Sequence, residues 1–319
     1  MAVSNLTLAS RPVSQKGYFQ RLKKCISSNK SLYVMILPVL LFYFVFSYVP
    51  MYGVIIAFKN FQPGLGIWGS EWVGFQNFID FFEGAYFTRI VSNTLIISFS
   101  TILFGFPAPI LLALLLNEVR SKNFKKVVQT VTYMPHFISL VVVCGIILQF
   151  TNSNGVITTL MHNLFGMPTQ NMMNYPEYFV PIYVISDIWQ GVGWGSIVYL
   201  SAITGINSEL YEAASIDGAG RFRKVWSVTL PGIMPTIMIM LILRMGNVMS
   251  VGFEKIILLY NPAIYSTADV IYSYTYRKGL LDFSWSYSTA VGLFNSVINC
   301  AFLLASNWMS RKLNDTSLW

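Results

Sequence analysis

Four side chains within eight residues, Asp187, Trp189, Gln190 and Trp194, have the types that hold a polar ligand. Indole faces can cover the C–H side of a sugar ring while a carboxylate and an amide exchange hydrogen bonds with its hydroxyls. Arg244 with Asn247, and Asn295 with Asn299, are further polar groups set in apolar surroundings. For any one of them the plainer role is a hydrogen bond between packed helices, and Arg244 and Asp187 could pair with each other. Hydrolytic chemistry finds less support. No nucleophile triad or pair of carboxylates stands out among the thirteen acidic residues, and His136 and His162 have no companion metal ligands. Cys25, Cys144 and Cys300 show no metal-type spacing and read as small packing residues. The chain contains no Gly-Lys dipeptide, so a phosphate-binding loop of the Gly-rich, Lys-Ser/Thr kind is excluded.

The elements that must position these residues follow from composition. Of 319 residues 55% are apolar and 11% charged, where soluble domains carry about 25% charged residues. The apolar residues fall in long blocks, and a bilayer-crossing helix needs about 20 of them. Six stretches qualify: Leu32 to Phe58, Ile90 to Leu116, Tyr133 to Phe150, Tyr178 to Ile203, Val228 to Met249 and Tyr287 to Met309. The expected fold is therefore an all-α membrane protein of six transmembrane helices. Pro38, Pro50, Pro107, Pro109, Pro181 and Pro235 interrupt several spans, which predicts kinked and closely packed helices. No cleavable export signal is evident, so the first apolar run is expected to stay as an anchor.

Lys and Arg placement gives orientation. Arg11, Lys16, Arg21, Lys23, Lys24 and Lys30 precede the first span; Arg120, Lys122, Lys125 and Lys126 lie in the second loop; Arg221, Arg223 and Lys224 in the fourth; Arg311 and Lys312 follow the last. The alternate loops hold only Lys59, Lys255, Arg277 and Lys278, which puts both termini and the even loops in the cytoplasm. The net charge of +8 is dispersed in this pattern and forms no nucleic-acid patch. The resulting division is a basic cytoplasmic segment, 1–31, a membrane domain, 32–309, and a cytoplasmic tail, 310–319. Outer-loop rings such as Trp68, Trp72, Phe75, Phe78 and Tyr260 suit the headgroup level, where aromatic anchors collect.

The fourth loop, within 204–227, has helical grammar. Asn207 or Ser208 can cap a short helix through Glu209, Leu210, Glu212, Ala213 and Ala214, which Gly218 can end, and a second short helix from Arg221 to Trp226 can lead to Pro231. Ala213 and Ala214 allow deep seating in a partner's cleft, and Glu212 can anchor the loop with charge-assisted hydrogen bonds.

Glu212-Ala213-Ala214, three residues, Gly218, nine residues and Val228-Thr229-Leu230-Pro231 resemble the EAA signature of permease subunits of bacterial binding-protein-dependent ABC importers. Val228 stands where that family usually has Ile. Ile216-Asp217-Gly218-Ala219 resembles the carbohydrate-uptake branch. Leu37-Pro38, Tyr48-Val49-Pro50-Met51-Tyr52-Gly53, Met134-Pro135 and Asn314-Asp315-Thr316-Ser317-Leu318-Trp319 are similar to the alginate-importer-like permeases for polysaccharides and oligosaccharides.

The resemblance implies a type I importer permease bundle with cytoplasmic coupling helices, in a multi-pass protein of the bacterial cytoplasmic (inner) membrane. It implies a second homologous permease, two ATP-binding subunits, an extracytoplasmic solute-binding protein and an oligo- or polysaccharide substrate, with membrane lipid around the chain. ATP and Mg would reside in the partner subunits, and no cofactor in this one. Glu212, Ala213, Ala214, Asp217, Gly218 and Arg221 would then couple to the ATPase, and Arg244 could meet a uronate-type substrate. The competing readings are a secondary transporter of a polar solute, for which Asp187 alone would be a coupling carboxylate, and a membrane-embedded glycan-processing enzyme.

Overall fold

In the computed structural model, which describes residues 28–314 together with 317 and 318, nearly all regular structure is helical. Arg11, Lys16, Arg21, Lys23, Lys24 and Cys25, and Asp315, Thr316 and Trp319 at the other end, lie outside the described residues. Among the described residues, the one departure from an all-α chain is an antiparallel ladder two residues long, Lys59–Asn60 with Glu71–Trp72, paired Lys59 to Trp72 and Asn60 to Glu71. The buried Lys59 ammonium closes this turn by donating to the Ser70 carbonyl at 3.1 Å.

Among the described residues, four helices are long and apolar enough to cross a membrane: Lys30–Phe58, Phe87–Glu118, Arg221–Met245 and Trp285–Lys312. In the last three, only 17 to 22% of the most apolar window is buried, so most apolar side chains point outward. That is the reverse of a water-soluble helix and suits a hydrocarbon solvent. Prolines shape these helices locally. Phe44–Tyr48, Thr101–Gly105 and Val225–Thr229 are π turns. Each contains the residue four before a proline, namely Phe46 before Pro50, Leu103 before Pro107 and Ser227 before Pro231. The pyrrolidine ring cannot donate to that carbonyl and collides with it, and widening the turn relieves the collision.

Two expectations require correction. The stretch from Tyr133 to Phe150 is not one helix: Lys122–Phe137 and Leu140–Phe150 meet at 101°. The chain is extended at Ile138 (φ −77°, ψ 135°), and Ser139 caps the second arm through the Val142 N–H. At most the bent pair supplies a fifth span. The second helix of the fourth loop is likewise not a separate arm. Arg221–Lys224 continues through the π turn into Leu230–Met245, so the long apolar helix begins at Arg221. Pro176–Thr204, at 29 residues, has the length to cross but is less apolar than the four.

Two units divide the chain at Ile55 and Ile56, and the second contains the packed core. Its axis is Pro176–Thr204, which packs against Pro107–Glu118, Lys122–Tyr133 and Leu230–Met245. Three apolar clusters hold the unit together: one around Ile97, Val143, Phe179 and Ile256, one around Phe81, Ile90, Met249 and Val291, and one around Ala113, Tyr199, Ile203 and Ile233. After Met245 the helix stops, and 246–252 is irregular backbone. Asn299 supports it from Trp285–Asn314, its carbonyl accepting from the Met249 N–H at 2.8 Å and its amide donating to Ser250 Oγ at 2.9 Å. Ser98 Oγ donates to the Val248 carbonyl. Irregular backbone at this depth needs such internal partners, because lipid offers none.

Candidate functional site

The irregular segment, the Pro176–Thr204 helix and the π turn at Thr101–Gly105 enclose two adjoining cavities of about 210 and 170 Å³. Thr101, Asp187 and Arg244 line both. Each is placed by a feature already described: Thr101 by the π turn, Asp187 by the long helix, Arg244 by the last turn before the break. Asn247 lines the second cavity and donates to the Leu243 carbonyl at 3.2 Å.

Asp187 and Arg244 face the same space but do not pair. The ion-pair partner of Asp187 is Lys255, at 3.7 Å. Lys255 is 4% exposed, donates to the Tyr183 carbonyl at 3.2 Å and lies 4.6 Å from the centre of that ring. Burial lowers the pKa of its ammonium from the ordinary lysine range, and the Asp187 carboxylate works against that shift. Asp187 keeps 40% of its side chain exposed and can still accept a hydrogen bond. Arg244 is exposed and has no carboxylate within ion-pair distance among the described residues. The site is therefore a small polar chamber with one neutralised carboxylate and one uncompensated guanidinium. Sequence reading counted Lys255 as a loop lysine; its one local signal is its place in the apolar Phe253–Leu259 helix.

The other candidates separate from this chamber. Trp189 and Gln190 line neither cavity, and Trp189 is exposed. Trp194 stacks on the His136 ring, with centroids 4.6 Å apart and planes 4° from parallel, and meets Phe137 edge-on. It thus binds the bend of Lys122–Phe137 to the long helix. Asn295 is 1% exposed, and neither amide atom has a partner among the described residues. It too lines neither cavity.

At the fourth loop the capping ambiguity resolves to Asn207, whose side chain accepts from the Glu209 N–H at 3.1 Å. The short helix is Ser208–Ile216. It ends with the N–H of Gly218 on the Ser215 carbonyl at 3.1 Å and that of Ala219 on the Ala214 carbonyl at 2.8 Å, with Gly218 at φ +76°. This crossed pair of bonds is the Schellman arrangement, which requires a left-handed residue at the glycine position. Lys224 Nζ donates to Ser215 Oγ at 2.6 Å, and the Tyr211 and Thr229 hydroxyls are 3.0 Å apart, so the short helix is tied to the start of the long one. Glu212, Ala213, Asp217 and Arg221 are exposed and Ala214 is half-buried. Ile216, Phe222 and Trp226, to which the sequence assigned no coupling role, are 87, 94 and 75% exposed beside them. A surface of small residues, two free carboxylates and three bare apolar side chains has the composition of a protein-docking face.

Residues 105–315 match the model of the family described as binding-protein-dependent transport system inner membrane component. Protein LplB of Bacillus subtilis (strain 168) is 43% identical over 92% of each chain. The polygalacturonan/rhamnogalacturonan transport system permease protein YteP of the same strain is 41% identical over 96% of each. Among solved structures, a chain of a bacterial ABC transporter involved in the import of the acidic polysaccharide alginate superposes with a TM-score of 0.84 at 45% identity, covering 92% of this chain and 99% of that one. A second structure, the bacterial alginate ABC transporter in complex with alginate pentasaccharide-bound periplasmic protein, gives 0.85 at 44% identity over 93 and 100%. The chain belongs to the family of inner membrane components of binding-protein-dependent transport systems.

Proposed function

We propose that this chain is one of two permease subunits of an ATP-driven importer for acidic oligosaccharides or polysaccharides, seated in the bacterial cytoplasmic membrane. Two ATP-binding subunits dock from the cytoplasm, one on the Ser208–Ile216 helix and one on the partner permease, and an extracytoplasmic binding protein delivers the substrate. ATP and Mg belong to the docked subunits. Their closure moves the short helix, and the Lys224–Ser215 and Tyr211–Thr229 contacts pass that displacement to the long helix that ends at the chamber. This rigid tie is the observation that carries the proposal. A coupling element must move as one body with the helix that lines the pathway, and the two ATPase states must bind it with different affinity.

Six spans and cytoplasmic termini complete the proposal. The bent pair supplies one span, and Pro176–Thr204 supplies another, with Asp187 turned to the chamber. The charge count of the connecting loops sets the orientation. Family membership favours this reading over a secondary transporter or a glycan-processing enzyme. Cysteine at Ala213 or Ala214 in the assembled transporter is expected to crosslink to a nucleotide-hydrolysing subunit, with a yield that changes between ATP-bound and nucleotide-free states. Crosslinks that reach only lipid or the partner permease would exclude the docking role.

An acidic substrate is supported by Arg244, a guanidinium without a carboxylate partner in the chamber, and by the relatives that handle alginate and polygalacturonan. Arg244→Gln is expected to slow uptake of an oligouronate by about tenfold, the loss of one charge-assisted hydrogen bond of about 1.5 kcal/mol. Equal rates for the variant and the native transporter, at equal abundance, would remove Arg244 from the pathway.

A further inference from the structure

A third polar concavity lies apart from the chamber. It has a volume of about 390 Å³, and its walls include Tyr86, Arg89, Tyr265, Tyr274, Arg277 and Lys278. Behind it sits Asp269, fully buried, with Oδ2 3.2 Å from Arg89 Nη2 and 2.6 Å from Arg277 Nη2. Its other oxygen accepts from Ser273 Oγ at 2.8 Å, and its backbone carbonyl accepts from the Asn93 amide at 3.0 Å. The two arginines come from the start of Phe87–Glu118 and from the Arg277–Leu281 turn, so one carboxylate locks together segments far apart in sequence.

The charges at this place do not cancel. Arg89, Arg277 and Lys278 face Asp269 and Asp282, the latter held by Lys278 at 2.8 Å. One positive charge remains. A guanidinium has five N–H donors; the described contacts use one on Arg89, and two on Arg277, the second to Tyr260 Oη at 3.4 Å. Arg89 Nε is buried without a partner among the described residues. Tyr86 and Tyr265 lie 4.7 and 4.9 Å from the guanidinium carbons of Arg89 and Arg277, and Tyr86 remains half exposed. Buried Asp269 thus fixes the direction of two guanidiniums at the wall of a tyrosine-lined hollow, the arrangement that recognises a planar carboxylate on a ring.

We propose that this hollow is a second substrate station, holding a uronic-acid residue of the incoming oligosaccharide on the extracytoplasmic side before it reaches the Arg244 chamber. The proposal rests on the importer reading above. A net charge of one, and not three, keeps such a station weak, and a path needs sites that a substrate can leave. A concave wall of rings favours a sugar over a side chain of the binding protein, which would need a flatter contact surface.

The test uses the full transporter with its binding protein in proteoliposomes, and tetragalacturonate and its methyl ester as substrates. Lys278→Gln, whose described partner is exposed, keeps the fold out of question, and Arg89→Gln, which leaves Asp269 with Arg277, adds the central donor. Each single variant should raise the half-saturating concentration of the free acid by about three- to fivefold, and the methyl ester by much less. Arg89→Lys should recover part of the loss. Equal effects on acid and ester, or unchanged saturation in both variants, would overturn the station. So would weaker capture of the ligand-free binding protein by the variants, which would make the hollow a protein contact. If the native transporter takes up neither substrate, the importer reading fails first and this inference falls with it.

Discussion

Gly218→Pro is expected to abolish uptake while leaving the amount of chain in the membrane near that of the native protein. Gly218 stands at φ +76°, and proline is confined near −65°. The substitution also removes the N–H that bonds the Ser215 carbonyl, and it disfavours the conformation of Asp217 (φ −71°, ψ 3°), the residue before it. The Ala219 to Ala214 bond depends on the same left-handed turn, so the whole cap is lost. No side chain clash arises, since a Cβ at this position meets nothing within 4 Å, and the damage is confined to backbone geometry. The loop is exposed, so the bundle can fold without it, but the angle between Ser208–Ile216 and the helix starting at Arg221 is no longer fixed. Gly218→Ala should be intermediate, since a left-handed alanine costs about 1 to 2 kcal/mol. Uptake normalised to membrane abundance, with copurification of ATPase subunits, measures this; a native rate in the proline variant would show that the cap has no part in coupling.

That prediction was within reach of sequence, and the reasons mark what sequence can carry here. Gly218, Asn207 and the apolar blocks are local signals: a capping amide, a turn glycine and length-averaged hydropathy each act over a few residues. The break at Ile138 and Ser139 escaped because apolar residues run across it from Met134 to Phe150, and a block average cannot distinguish one helix from two that meet at 101°. Pro176–Thr204 read as an ordinary span, and nothing local showed that Asp187, Gly191 and Gly195 along it line a chamber. Contacts between distant segments were out of reach. Counting Lys255 and Arg277 as topology signals was sound arithmetic, but it could not place the first on Asp187 or the second, together with Arg89, on Asp269. Charged residues in a membrane protein serve both purposes, and only the fold separates them. Trp194 shows the converse, a side chain suited to a sugar that instead stacks on His136 to hold a bend.

The same bend supplies the second large effect, Gly193→Ala. A Cβ on Gly193 would stand 2.1 Å from the Thr132 carbonyl oxygen and 2.3 Å from its carbon, which are backbone atoms of the Lys122–Tyr133 helix and cannot rotate away. The two helices must separate, and the shift would also disturb the stacking of Trp194 on His136 one residue later. Overpacking of this kind costs about 1 to 3 kcal/mol where side chains can adapt, and rigid backbone should put it at or above the upper end. Loss of most folded protein at the growth temperature, or a melting temperature in detergent lowered by many degrees, is the expected result. Gly145→Ala is the matched control. It lies in Leu140–Phe150, a Cβ there meets nothing within 4 Å, and alanine is the better helix former by about 1 kcal/mol, so stability should hold or rise slightly. Both substitutions add one methyl group to a helix, Gly193 in Pro176–Thr204 against the first arm of the bent pair and Gly145 in the second arm. A difference between them isolates the backbone contact at Thr132 from any general intolerance of glycine replacement, and equal stabilities would show that the helices do not meet there.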